Sequence, residues 1–169
     1  MKEEIYDELK KLRGLRLTRT TRTSSVECLK FGFKEVIDKE GELNNIGSFG
    51  IHLNCNWRFV NDYKILIGSQ DLYEPIQEAL RMDEPFNWEE PNANLRDITL
   101  HELIREHHLV VKEVEVDFYG GFVVFFQSNI RLEVFPSTSR VDKYAEYWRF
   151  LDNEKKKHFV ICGSGTFWV

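Results

Sequence analysis

Over residues 51–59 apolar and polar side chains alternate without a break. Ile51, Leu53, Cys55 and Trp57 fall on one side, and His52, Asn54, Asn56 and Arg58 on the other, because successive side chains of a strand point to opposite faces. One face of such a strand is buried and the other wet, which is the ordinary state of an antiparallel sheet. Asn61-Asp62 forms a compact turn and residues 63–67 return, so 50–67 predicts a hairpin.

The same signal recurs on both sides. Residues 15–37 carry strand formers separated by polar residues. Strands are expected near 109–118, 121–127 and 130–135, joined by Gly120-Gly121 and Ser128-Asn129, and again at 145–151 and 157–162. Ile5, Leu9 and Leu12 recur at helical spacing and Gly14 is a stop, so 2–13 predicts an amphipathic helix. Pro75 can occupy a first helical position, which predicts a short helix over 75–82. Asp97 or Thr99 can cap another that runs to about His108 with Leu100, Leu103 and Ile104 on its apolar stripe. The fold class is α+β: mostly antiparallel sheet built from hairpins and a meander, with an N-terminal helix and two short helices in the middle. At 169 residues the chain reads as a single domain over 1–169, of a size that removes about 70% of its unfolded surface from water. With 14% aromatic residues it has the material for a core without staples.

Chemical motifs are scarce. His101, His107 and His108 fail the HExxH pattern, since His101 and His108 stand about 10.5 Å apart along a helix, too far to share one zinc. Cys28, Cys55 and Cys162 are odd in number and widely spaced, which suggests neither a disulfide framework nor a zinc module and fits the reducing cytoplasm. Cys55 alternates with core residues, so its thiol is expected to be buried and inert. Ser164 lacks the nucleophile-elbow context. No phosphate-cradling glycine loop is present, and no cofactor or metal is indicated. The N-terminus has no apolar signal-peptide core, and no apolar run approaches the length that spans a membrane. Residues 10–22 hold Lys10, Lys11, Arg13, Arg16, Arg19 and Arg22 with no acid among them. Threonines rather than aromatics are interleaved, so the stacking platform of single-strand binders is missing. A charged edge strand explains this stretch better than nucleic-acid binding, as does the net charge of −5.

Two places remain for a site. The polar row His52, Asn54, Asn56 and Arg58, spaced about 7 Å apart, can floor a cleft, with Arg149 of the second Trp-Arg-Phe segment a possible addition. Arg there would orient an anion and His could move a proton. The acidic loop over 83–94 offers Phe86, Trp88, Glu89 and Glu90 as partner contacts, since aromatic residues anchor interfaces and loops of that length are often functional.

The pattern Gly50-x-His52-x-x-Cys55-x-Trp57-Arg58, with Gly68-Ser69-x-Asp71, Trp148-Arg149-Phe150 and His158-Phe159-Val160, resembles a set of small uncharacterised bacterial proteins. The resemblance runs from about residue 45 to 163. It implies a compact bacterial, cytoplasmic protein and no particular activity. Residues 1–23 and 83–94 lie outside it. The expectation is a non-enzymatic binding or interaction module of an immunity-like or regulatory kind, with a possible protein partner. The alternative is a small-molecule-binding protein or enzyme that uses the strand face around His52 and Arg58.

Overall fold

The computed structural model describes residues 1–76 and 86–169. Helix α1 (Lys2–Leu9) runs into a 3-10 turn (Lys10–Leu12) and then into a chain of short strands. These are β1 (Leu17–Thr23), β2 (Val26–Phe31), β3 (Glu35–Ile37), β4 (Leu43–Asn45), β5 (Phe49–Leu53), β6 (Asn56–Val60) and β7 (Ile65–Gly68). A second 3-10 turn (Ser69–Tyr73) and helix α2 (Leu95–Glu106) precede β8 (Val111–Val116), β9 (Phe122–Phe126), β10 (Arg131–Phe135), β11 (Glu146–Asp152), β12 (Lys157–Cys162) and β13 (Gly165–Trp168).

Every strand pairing is antiparallel. Two sheets carry the fold, in orders β1-β2-β5-β11-β12-β13 and β7-β6-β10-β9-β8, while β3 and β4 form a separate hairpin. Their inner faces meet in one hydrophobic cluster: Leu29, Ile51, Trp148, Phe150 and Ile161 from the larger sheet, Trp57, Phe59, Val124 and Leu132 from the smaller. A bridge between Arg16 and Val110 ties the start of β1 to the approach of β8. Ile5 and Leu9 bury the inner side of α1, which packs on the edge strand β8. Leu100, Leu103 and Ile104 bury one side of α2, which packs on β1, β7 and the second 3-10 turn.

The antiparallel sheets and the N-terminal helix are as expected. The single strand over 50–60 is not. The chain turns at Asn54 and Cys55, and β5 and β6 belong to different sheets. Two residues make the corner, so the parity survives: Ile51 and Leu53 point into the core before it, Trp57 and Phe59 after it. Strands that switch sheets at a bend are how packed sheets make corners. The 50–67 hairpin therefore reduces to β6–β7. Likewise the C-terminal meander divides, β8–β10 joining the smaller sheet and β11–β13 the larger. The 75–82 helix lies mostly outside the described residues. The second middle helix starts earlier than expected, because Asn94 and not Asp97 or Thr99 is its cap: the Asn94 side chain accepts from the Asp97 backbone N–H at 2.9 Å.

Candidate functional site

The β1–β2 hairpin closes through Ser24-Ser25, with Thr23 opposite Val26. β1 is the outermost strand of its sheet. Beside it runs α2, and between strand and helix lies a groove of about 760 Å³. This is within the size range of ligand sites. Leu100 and Ile104 contribute apolar lining. His101 and Arg105, one turn apart on α2, add polar groups, and Arg16, Arg19 and Arg22 line it from β1 and its approach.

Two of the three acids in the groove lining, Glu27 and Asp97, are already committed, and the third, Glu89, is exposed. Arg22 Nε donates to both Asp97 carboxylate oxygens, at 2.8 and 3.0 Å. Its Nη2 holds the main-chain carbonyls of Trp88, Glu89 and Glu90 at 3.0–3.1 Å. Glu27 is buried in the wall, accepting the Thr20 hydroxyl and facing Arg96 Nε at 3.3 Å. Arg16 has neither: its Nε is buried with no hydrogen-bond partner among the described residues. Among the described residues Arg19 donates only to the neutral Asn44, at 3.2 Å. Arg105 meets Glu106 at 3.3 Å with both side chains exposed, a contact worth little in water. The groove thus presents cationic groups in excess.

Glu27 and Arg96 form a buried pair with poor geometry. Arg96, 1% exposed, donates Nη1 to the carbonyls of Ser25 and Ser69 at 3.3 and 3.4 Å and lies 5.7 Å over the Trp57 ring. Its Nε and Nη2 lack hydrogen bonds among the described residues. Burial pushes the Glu27 carboxyl up to about 7, against the opposing pull of Thr20 and Arg96. The folded protein therefore keeps a proton that the unfolded chain loses near 4.5. Stability from this group falls as pH rises from about 4.5 to about 7, by up to about 3 kcal/mol. His52, pulled below its ordinary value by burial and then by Arg149 and His158, contributes a slope of opposite sign. Glu27→Gln isolates the first effect. Its stability relative to wild type is expected to rise between pH 5 and pH 8 in urea titrations, and a constant difference would contradict it.

The expected polar row is distributed over the molecule. His52 lies on the outer face of the larger sheet, opposite Cys28 and Arg149. Arg149 binds the Glu146 carboxylate through Nε and Nη2 at 2.6 and 2.5 Å. Asn54 and Asn56 line a second cavity of about 390 Å³ with Arg96, Arg140 and Tyr147. Asn54 donates to the Glu146 carbonyl at 3.1 Å and Asn56 to the Ser137 hydroxyl at 2.8 Å. Arg58 is on the outer face of the smaller sheet, 2.6 Å from Glu133, in a third recess. Burial would raise the Glu133 carboxyl, but hydrogen bonds from Arg58 and Arg131 hold it below its usual value. His52 and Arg149 are thus brought together, while Arg58 stands in the other sheet.

Of the acidic loop, residues 86–94 are described and 83–85 are not. Phe86 and Trp88 are half-buried, Glu89 and Glu90 exposed. The Trp88 ring meets Tyr73 edge-on at 5.4 Å, and the Trp88 carbonyl also accepts from Asn94 at 3.2 Å. Glu89 reaches the groove. The cysteines are free thiols, and burial pushes Cys55 up to about 12, far from a reactive thiolate.

The arginines of β1 are visible in the sequence but their groove is not, since it needs α2 placed beside them. Glu27 carried no signal at all. Among the described residues no cluster of three or more His, Cys, Asp or Glu could hold a metal ion, and no helix is long and apolar enough to cross a membrane. No protein-family model, no curated protein and no solved structure matches the chain.

Proposed function

We propose that this protein is a non-catalytic binding module that takes an acidic segment of a partner protein in the groove between β1 and α2. One observation carries the reading: among the described residues the guanidinium groups of Arg16 and Arg19 line the groove without a carboxylate partner. A carboxylate entering the groove can take charge-assisted hydrogen bonds from these guanidinium groups. Of the carboxyls that line the groove, Glu27 and Asp97 are occupied by Thr20, Arg96 and Arg22, which leaves Glu89 alone against Arg16, Arg19 and Arg105. A reaction centred on His52 and Arg58 has less support, because the two lie on the outer faces of different sheets. The compartment on this reading is a bacterial cytoplasm, in keeping with three free thiols.

The probe is a fluorescein-labelled octapeptide of alternating glutamate and valine. The wild-type protein is expected to bind it, more weakly as salt rises. The variant Arg16→Gln/Arg19→Gln/Arg105→Gln should bind about threefold to a hundredfold more weakly, since three charge contacts of about 0.2–1 kcal/mol each are lost. No binding by the folded wild type, or equal binding by the variant, would overturn the reading.

A further inference from the structure

We infer that the acidic segment enters the groove as an added β-strand, hydrogen-bonded through its main chain to the open edge of β1. The inference rests on the proposed function and adds the mode of recognition.

The edge is defined by register. A two-residue turn at Ser24-Ser25 makes Thr23 and Val26 a hydrogen-bonded pair. In an antiparallel ladder bonded and non-bonded pairs alternate. The pairs Thr21–Cys28 and Arg19–Lys30 therefore bond toward β2. The main-chain N–H and C=O of Thr20 and Arg22, opposite Leu29 and Glu27, point away from β2. Along residues 18–23 no other strand pairs with β1 among the described residues, and the backbone of Thr20 and Arg22 makes no other main-chain hydrogen bond there. An edge with unpaired donors and acceptors is a template for another strand.

Its limits are also built in. A register shift at Thr18 interrupts the ladder on one side, and the Ser24-Ser25 turn ends it on the other. Two donor–acceptor sets remain, at Thr20 and Arg22, enough to fix the register of a short extended segment. The lining offers both kinds of contact to such a segment. A strand offers alternate side chains to opposite sides. The apolar lining comes from Leu100 and Ile104, and the cationic lining from Arg16, Arg19 and Arg105. A peptide that alternates acidic and small apolar residues satisfies both, main-chain bonds supplying affinity and the walls specificity.

The test uses the full chain and three forms of the octapeptide: unmodified, N-methylated on every valine, and N-methylated on every glutamate. Only alternate amides of an added strand face β1. One methylated form is therefore expected to lose at least tenfold in affinity while the other binds like the parent. Hydrogen exchange should slow at the amides of Thr20 and Arg22 when the parent peptide is saturating. If both methylated forms bind like the parent, or those two amides gain no protection, strand addition is wrong while a charge-dependent affinity would leave the binding reading intact. If the parent does not bind, both readings fall. A concentration-dependent dimer that protects Thr20 and Arg22 without peptide would replace the peptide by a second copy of the chain and overturn the inference.

Discussion

Arg96→Met is expected to lower the unfolding free energy at pH 8 by about 3–5 kcal/mol, the usual cost of removing one partner of a buried charge pair. Arg96 sits in the first turn of α2, nine residues before Arg105 and on the opposite, inner side. It binds the main chain at two otherwise separate places, Ser25 at the β1–β2 turn and Ser69 after β7. Its guanidinium covers the Trp57 ring and faces Glu27. Methionine can fill much of the volume, but it donates no hydrogen bond and carries no charge. Two carbonyls would lose their donor, and Glu27 would be left with a buried charge and no close cation. At pH 5.5 Glu27 takes up a proton, so the cost there should be smaller. Guanidinium denaturation at the two pH values measures both. An equal cost at pH 5.5 and 8 would show that the Glu27 charge is not what Arg96 compensates.

The second large effect belongs to the core. Trp148→Ala is expected to cost about 3–5 kcal/mol, as large-to-small changes at buried aromatics do. Trp148 is fully buried, packs edge-on against Phe122 at 4.6 Å, and donates Nε1–H to the Gly120 carbonyl at 2.7 Å. Phe122 and Gly120 belong to the smaller sheet and its β8–β9 turn, Trp148 to the larger, so this residue joins the two layers. Trp148→Phe keeps most of the apolar area and removes the hydrogen bond; about 1–2 kcal/mol of loss is expected. Thermal unfolding of the pair separates cavity from hydrogen bond. If Trp148→Phe were as damaging as Trp148→Ala, the hydrogen bond and not the packing would dominate.

The two Trp-Arg-Phe segments turn out to do the same job in different sheets. Trp57 and Phe59 face the core from β6, Trp148 and Phe150 from β11. Each central arginine points outward onto a carboxylate, Arg58 to Glu133 and Arg149 to Glu146. Period-two alternation suffices for this outcome, without any duplication.

That period is what the amino-acid order determines by itself. Which side chains of residues 50–60 face inward could be read directly, because the pleat forces alternate residues to opposite faces wherever the chain is extended. The bend at Asn54-Cys55 left no trace in the pattern, since a two-residue corner preserves parity. Only the packing of one sheet on the other decided that His52 and Arg58 point away from the core on different sheets, and so that the polar row is divided between them. The arginines of β1 were legible as charges on an edge strand, for a charged run with no acids can be counted. Their groove was not, because it exists only where α2, more than seventy residues further along the chain, lies beside that edge. Glu27 was the least legible of all: one acid in a strand looks like any wet-face residue, and its burial, against the opposing pull of Thr20 and Arg96, lets it keep a proton near neutrality.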